Sequence, residues 1–311
     1  MKINAVAIQM EFKLDYYISP ESFERKVFNL MDEASRNVKL SENSIVVFPE
    51  DVGTFLIFVE DDVLRFKSLK ETANFLIKKS FISLLIGRIR HKCGWVSAFI
   101  LKKWRRMWRI YYNVFSRVAR EFCVNVIAGS ILLPKIEPKG DKTRIVSSRI
   151  YNTSYTFSPR GGIIGVQRKV HLIPLEKALE VTPAPLEEIR VFKTNVGKIG
   201  VAICYDCFFD DVLLALAKQG AELLIQPSAN PEPWDDRLER EWPKGCWRAV
   251  QKYSQFKYGV NPMAVGKIFD LTFEGFTSII AKCDETSNRT GYIARSRSKD
   301  SEEIVIAQLH L

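Results

Sequence analysis

The chain reads VAICYDCFFDD from Val201 to Asp211. The first part of this stretch is apolar and β-branched, which is typical of a buried strand, and acidic residues then mark the start of a helix. Cys204 lies at the turn between them. Such a turn exposes the sulfur, and we expect the N-terminus of the following helix to lower the pKa of the thiol. The stretch therefore predicts a nucleophilic cysteine on an α/β fold, placed as at comparable turns in hydrolases.

Cys204 and Cys207 also form a C-x-x-C pair, which admits two other interpretations. A zinc site needs two further ligands at suitable spacing, but Cys246 and Cys283 are isolated and His310 lies near the end of the sequence. A redox pair of the thioredoxin type follows the first strand of a much smaller unit. We therefore expect no metal and no cofactor, and we expect Cys207 to pack in the core.

Short β-branched runs alternate with amphipathic, helix-like stretches along the whole chain. The predicted helices are Glu21–Val38, Asp210–Gln219 and Asp235–Lys252, the last interrupted by a proline. The predicted strands are Ile3–Gln9, Ser44–Phe48, Val124–Ala128, Arg149–Phe157, Gly162–Gln167, Ile199–Ile203, Glu222–Ile225, Tyr258–Val260, Phe276–Ala281, Thr290–Ala294 and Ile304–Leu309. This alternation over 311 residues predicts an α/β layered fold.

The composition is that of an ordinary globular protein, with 47% hydrophobic and 26% charged residues. No apolar run approaches the roughly 18 residues that a membrane-spanning helix needs. The N-terminus predicts a strand and lacks the pattern of a signal peptide, and the cysteines are scattered. We therefore expect reduced thiols and a cytoplasmic protein.

Two other predicted strands are followed by residues whose side chains can take part in catalysis. A buried-type strand runs into Pro49 and Glu50, and ligands bind open α/β sheets at the carboxyl ends of strands. Lys169 follows a later strand, and Glu176 comes seven residues after it. Each residue is ambiguous by itself, because turn carboxylates, strand-end lysines and helix-start glutamates are common at protein surfaces.

In combination and in this order, these residues resemble the nitrilase superfamily of carbon–nitrogen hydrolases. The motifs that carry the resemblance are FPE at 48–50, RKVHL at 168–172 with Glu176, and ICYD at 203–206. The likeness covers the chain except about residues 54–120 and a loop at 134–146. It implies a four-layer α-β-β-α sandwich, one carbon–nitrogen hydrolase domain over 1–311, and a homo-oligomer (dimer or higher). It also implies a Glu50–Lys169–Cys204 triad, with Glu176 as a second carboxylate.

These implied roles make chemical sense. Glu50 accepts the thiol proton of Cys204, and the thiolate attacks the carbon of an amide, nitrile or N-carbamoyl compound. Lys169 and the backbone N–H of Tyr205 stabilise the oxyanion, while Glu176 holds Lys169 and the substrate. After ammonia or an amine leaves, Glu50 activates the water that cleaves the acyl-enzyme. The motifs thus predict a thiol hydrolase of a small molecule, without specifying which one.

An insertion at about residues 60–120 departs from the family pattern. Between Lys78 and Arg120 there are 12 basic residues and no acidic one, whereas the rest of the chain has 34 basic and 36 acidic residues within a total net charge of +10. On a helical wheel over Trp95–Arg120, aromatic and basic residues separate onto opposite faces. The residues predicted to bind a membrane are Trp95, Trp104, Trp108, Arg105, Arg106 and Arg109.

A basic, Trp-rich amphipathic helix suits an anionic membrane surface, so we predict a peripheral protein on the inner membrane face. One alternative is a core helix or subunit interface with a solvated basic face. Nucleic acid suits the wide aromatic face less well, because phosphates need charge rather than apolar area. Two functional alternatives also stand: acyl transfer from a lipid-related donor to an amine, and a catalytically silent membrane or RNA adaptor.

Overall fold

A computed structural model describes residues 1–139 and 142–311. Two β-sheets pack face to face, and helices cover the outer face of each. The strands are β1 (Lys2–Lys13), β2 (Ser44–Val47), β3 (Asn125–Ile127), β4 (Ile131–Lys139), β5 (Lys142–Phe157), β6 (Ile163–Arg168), β7 (Val191–Thr194), β8 (Gly197–Val201), β9 (Leu223–Ile225), β10 (Tyr258–Asn261), β11 (Ala264–Ile268), β12 (Leu271–Phe273), β13 (Ser278–Ile280), β14 (Tyr292–Arg295) and β15 (Glu303–His310). The α-helices are α1 (Pro20–Asn37), α2 (Leu69–Lys79), α3 (Phe81–His91), α4 (Trp95–Glu121), α5 (Pro174–Ala178), α6 (Asp210–Lys218), α7 (Asp236–Glu241) and α8 (Cys246–Lys252).

The two sheets have parallel centres. In the first sheet the strand order is β12-β11-β1-β2-β3-β5-β4, with β15 also pairing with β1 and β6 with β5. In the second sheet the order is β14-β13-β10-β9-β8-β7. Strands β1, β2 and β3 are parallel to one another, as are β8, β9 and β10. The carboxyl ends of β2 and β8, which precede Glu50 and Cys204, therefore lie within the parallel parts of their sheets.

The side-chain alternation of β1 shows how the layers are built. Ala5 and Ala7 face the second sheet and pack in the core between the sheets, whereas Val6 and Ile8 face the outer layer formed by α1 and α4. The second sheet is covered on its outer side by α6 and α8. The architecture is therefore the predicted four-layer α-β-β-α sandwich.

The main error in the predicted elements concerns residues 134–146, which were expected to form a loop. Within the described residues, β4 and β5 extend into this stretch and pair antiparallel; residues 140–141 lie outside the description. Pro134 obscured the strand pattern. Because β4 is an edge strand, it tolerates a residue without a backbone N–H.

The structure corrects the predicted orientation of α4. Its aromatic face packs on the first sheet and on α1, where Trp104 is only 5% exposed and Trp108 contacts Tyr155. Trp104 is therefore not available to a membrane, and Trp108 is partly buried. Trp95 is partly buried too and stacks on Phe81 of α3. A helical wheel identifies an apolar face but does not tell whether that face meets lipid or a sheet.

The three predicted basic residues of α4 lie on the opposite, exposed face. Arg106 forms an ion pair with Glu60, and Arg105 and Arg109 are exposed beside it. Among the described helices, none is long and apolar enough to cross a bilayer.

Candidate active site

Glu50 is positioned by the loop that follows β2. Its neighbour Pro49 is in close contact with Gly129, whose φ is +58° and where a Cβ atom would lie 1.8 Å from the Pro49 carbonyl oxygen. Only glycine fits both constraints. The backbone N–H of Ala229 donates to Glu50 Oε2 at 3.1 Å. These contacts fix the carboxylate inside the protein, where it is 2% exposed.

Lys169 lies directly after β6 and beside β5. Its Nζ donates to Glu50 Oε1 at 2.7 Å and is 2.9 Å from Glu176 Oε2. Glu176 is held in turn because its Oε2 accepts the Ile173 N–H at 3.0 Å, at the start of α5. A buried ammonium between two carboxylates keeps its charge, since both partners are within hydrogen-bonding distance.

Asn152 on β5 connects the two carboxylates. Its Nδ2 donates to Glu50 Oε1 at 2.9 Å and to Glu176 Oε1 at 2.8 Å. The sequence interpretation assigned Asn152 no role. Its position on the strand next to β6, adjacent to Lys169, is the signal that could have identified it, because neighbouring strands place such residues side by side.

Cys204 forms a sharp turn after β8. Its φ of +47° lies in the left-handed region, which is strained for a non-glycine residue. Its N–H donates to the Pro227 carbonyl at 2.9 Å, and its own carbonyl accepts from Gln226 Nε2 at 3.1 Å. The segment that follows β9 therefore holds the turn, and the Cys204 thiol is buried close enough to Glu50 for the carboxylate to raise the pKa of the thiol.

The electrostatics of Cys204 differ from the prediction. Burial raises the pKa of the Cys204 thiol well above its ordinary value, and the Glu50 carboxylate adds to this effect. The expected lowering by a helix N-terminus fails because one 3₁₀ turn, Cys204–Phe208, follows the cysteine, and α6 begins only at Asp210. The thiol is therefore neutral until a base removes its proton.

Glu50 and Lys169 perturb each other in opposite directions. Burial raises the pKa of Glu50 despite the nearby ammonium. Burial also disfavours the charge on Lys169, but the charges of Glu50 and Glu176 counteract burial, and the pKa of Lys169 is raised well above its usual range. A carboxylate of raised pKa beside a thiol is a suitable proton acceptor.

The backbone around Tyr205 and Asp206 completes the site. Within the described residues, no acceptor is found for the Tyr205 N–H, so it remains available to an oxyanion next to the Cys204 sulfur. Asp206 accepts the N–H groups of Val170 and His171, with a shortest distance of 2.7 Å. It thereby ties the turn that carries the cysteine to the chain that carries Lys169.

The structure thus brings together Glu50, Lys169, Glu176, Cys204 and the Tyr205 N–H. Cys207 lies apart, buried in the hydrophobic cluster between the second sheet and its helices. In the described part of the chain, no group of three His, Cys, Asp or Glu side chains is arranged to hold a metal ion.

Comparisons with known proteins identify a family and relatives that this chain resembles. The chain matches the sequence profile of the carbon-nitrogen hydrolase family over residues 112–245. It is 36% identical over 120 residues to the omega-amidase NIT3 of Saccharomyces cerevisiae, a match covering 37% of this chain and 38% of that protein. The sequence matches to the first two curated relatives therefore span less than half of their length.

Solved structures resemble nearly the whole chain. A carbon-nitrogen hydrolase from Helicobacter pylori G27 superposes with a TM-score of 0.66 at 19% identity, covering 100% of this chain and 90% of that one. An amidase from Nesterenkonia sp. superposes with a TM-score of 0.61 at 15% identity, covering 99% of this chain and 90% of that one. At these identities the likeness concerns the fold. Together with the family match over residues 112–245 and the order of the motifs, it leads to one conclusion: the chain has the fold of nitrilase-superfamily structures and is similar in sequence to the carbon–nitrogen hydrolases.

Proposed function

We propose that the protein is a thiol hydrolase that cleaves a non-peptide carbon–nitrogen bond through an acyl-enzyme on Cys204. The observation that carries the proposal is the buried Glu50 carboxylate, which Lys169, Asn152 and the Ala229 N–H hold at fixed distances and whose charge raises the pKa of the buried Cys204 thiol. Among amides, nitriles and N-carbamoyl compounds, the amide is favoured because the similar proteins are named as amidases.

The acylation step begins with a protonated Cys204 thiol and with Glu50 as the proton acceptor. Glu50 takes the proton of the Cys204 thiol as the sulfur bonds to the amide carbon, and the carbonyl oxygen becomes an oxyanion. The Lys169 ammonium and the Tyr205 N–H stabilise that charge. Glu50 then gives the proton to the leaving nitrogen, so ammonia departs and a thioester remains.

The same groups act in the second half of the reaction, which is the hydrolysis of the thioester. Glu50 takes a proton from water as the oxygen attacks the thioester carbon, and Lys169 and the Tyr205 N–H again bind the oxyanion. The carbon–sulfur bond breaks, and the proton on Glu50 returns to the sulfur. The carboxylic acid leaves and the thiol is restored, so the cycle consumes one amide and one water.

Acetamide is the simplest probe of this proposal. The purified protein should release ammonia and acetate in equal amounts, because water is the acceptor in the second step. Ammonia can be followed by a coupled assay and acetate by NMR. Product that forms only when an amine is added would instead indicate acyl transfer, and no product with any amide or nitrile would leave the adaptor alternative.

We propose a narrower boundary for the inserted segment than about residues 60–120. Because α4 is part of the helical layer on the first sheet, we propose that the chain is a single carbon–nitrogen hydrolase domain in which α2 and α3 are the added elements. The family resemblance also predicts a homo-oligomer, which stays a prediction.

We also propose that the protein binds an anionic membrane on the cytoplasmic face, through α3 rather than the aromatic face of α4. Apolar side chains at one side of α3 are exposed: Phe81, Ile82, Leu85, Ile86 and Ile89. The stretch from residue 72 to 120, which contains α3, has no acidic residue, and its basic residues near α3 and at the start of α4 are Lys78, Lys79, Arg88, Arg90, Lys92, Lys102 and Arg105. An apolar strip within a basic rim complements acyl chains below anionic headgroups.

Liposome co-sedimentation tests this surface. The protein should bind phosphatidylserine vesicles at low salt. Binding should weaken but persist as salt rises, because each surface Lys or Arg contributes about 1 kcal/mol that salt screens, whereas buried apolar area is not screened. The variant Ile82→Ser/Ile86→Ser should bind at least about tenfold more weakly and still hydrolyse acetamide.

The matched control is Leu214→Ser/Ile293→Ser, which removes two exposed apolar side chains elsewhere. It should bind vesicles like the wild type. A wild-type protein that stays in the supernatant at low salt contradicts the proposal. If Ile82→Ser/Ile86→Ser instead converts an oligomer to a monomer, α3 is a subunit interface. Trp104→Ser is unsuitable as a test, because removing a buried Trp costs about 3–5 kcal/mol of stability.

A further inference from the structure

We propose that an apolar cavity beside the active site binds the hydrocarbon part of the substrate's acyl group, so that the enzyme prefers amides of uncharged acids with about six carbons. The inference rests on the proposed function and adds the substrate class to it. The cavity reaches Glu50, Lys169 and Glu176, so a chain attached to the reacting carbonyl can extend into it.

The cavity wall combines residues of α2, α4, α5 and the segment Thr54–Phe58. The side chains that α2, α4 and α5 contribute are apolar except for Glu176. Representative residues are Ala73, Leu76, Phe99, Ile100, Leu175 and Leu179. Glu180, just past α5, accepts the Ser97 N–H at 3.1 Å and so holds the start of α4 against this wall.

The charges at the cavity exclude an acidic acyl chain. Among the described residues that line it, Lys169 is the only cation, and it is already paired with Glu50 and Glu176. Asp51 lies at the same wall; burial raises its pKa to about 7, and Thr54 donates to its Oδ1 at 2.7 Å. A second carboxylate on the substrate would meet three acidic side chains without a free partner.

The size of the cavity limits the chain. Its volume is about 150 Å³. Apolar cavities of about this volume in other proteins bind benzene, a six-carbon ligand. Because each buried methylene contributes about 0.8 kcal/mol, affinity should rise about fourfold per methylene until the cavity is filled.

The experiment compares linear primary amides from acetamide to decanamide. We expect kcat/KM to rise about fourfold per added methylene, reach its plateau at about six carbons and gain on the order of 10²-fold over acetamide. Binding to the Cys204→Ala variant, measured by calorimetry, should follow the same series without chemistry. Glutaramate, which is pentanamide with a carboxylate in place of its methyl group, should be at least about 100-fold poorer than pentanamide.

A pair of variants tests the location. Ala73→Phe places a ring in the cavity and should lower the ratio of hexanamide to acetamide kcat/KM at least about tenfold. Asn74→Phe adds the same side chain at the next, exposed position of α2 and should leave that ratio unchanged. An equal fall in both variants would mean that the helix, not the cavity, sets the preference, and would overturn the proposal.

The two proposals fail differently. If acetamide is hydrolysed but neither kcat/KM nor binding depends on chain length, the cavity proposal is wrong and the hydrolase stands. If Cys204→Ala binds hexanamide more tightly than acetamide but the wild type hydrolyses neither, the cavity proposal stands and the proposed reaction is wrong.

Discussion

Replacing Cys204 by Ala is expected to lower the turnover of acetamide by about 10⁴-fold or more, with the fold intact. The sulfur is the atom that forms the thioester, and loss of a nucleophile removes a whole covalent pathway rather than one stabilising contact. The turn itself should persist, because Gln226 and Pro227 hold the backbone of residue 204 and not its sulfur. Circular dichroism and the melting temperature check the fold.

The matched control is Cys207→Ala. This second thiol lies three residues away, buried in the cluster with α6 and α8, where its loss leaves a small cavity and costs about 1 kcal/mol of stability. Turnover should change little. A loss of activity in Cys207→Ala equal to that in Cys204→Ala would assign the chemistry to the pair of thiols instead of to Cys204.

The second large effect is expected for Glu50→Gln, which should reduce turnover by about 10²–10⁴-fold. The amide has nearly the same shape but cannot accept a proton, and the Cys204 thiol, whose pKa is raised by burial, then stays protonated. Both acylation and thioester hydrolysis should slow. Stopped-flow or single-turnover measurement of ammonia and acetate separates the two steps.

A control carboxylate makes this result specific. Glu188 also pairs with a lysine, Lys135 at 2.8 Å, but lies outside the site, so Glu188→Gln should retain activity. Wild-type activity should fall as the pH drops through the pKa of Glu50, because the base must be ionised. Burial raises that pKa, so the fall should begin at a higher pH than for an ordinary carboxyl group. Unchanged product formation in Glu50→Gln would show that Glu50 is not the base.

The sequence predicted the parts of the fold that have strong local patterns. The parallel strands that precede Glu50 and Cys204 are short β-branched runs, and the structure confirms them as β2 and β8. Strand β4 was not predicted because it contains prolines, which are unusual in strands but are tolerated at the edge of a sheet. Local patterns record the alternation of side chains but not which strand has a free edge.

The candidate active site was likewise predicted only in part from the sequence. Ordered motifs were enough to group Glu50, Lys169 and Cys204; the structure pairs Lys169 with Glu50 and buries Cys204 where the charges of both affect its pKa. The role of Asn152 required knowing that β5 and β6 are neighbours, which is a tertiary fact. The pKa of Cys204 was mispredicted because burial, which a sequence does not give, outweighs a single helical turn.

The central claim is that the reaction passes through a thioester on Cys204, and acid-quench mass spectrometry tests it most directly. The protein is mixed with an excess of amide substrate, quenched in acid within the first turnovers and digested. We predict that the peptide containing Cys204 gains the mass of the acyl group, that the gain disappears on alkaline hydrolysis, and that Cys204→Ala lacks it. Steady hydrolysis of the amide with an unmodified Cys204 peptide at every quench time, or with the acyl group on Cys207, would contradict the account.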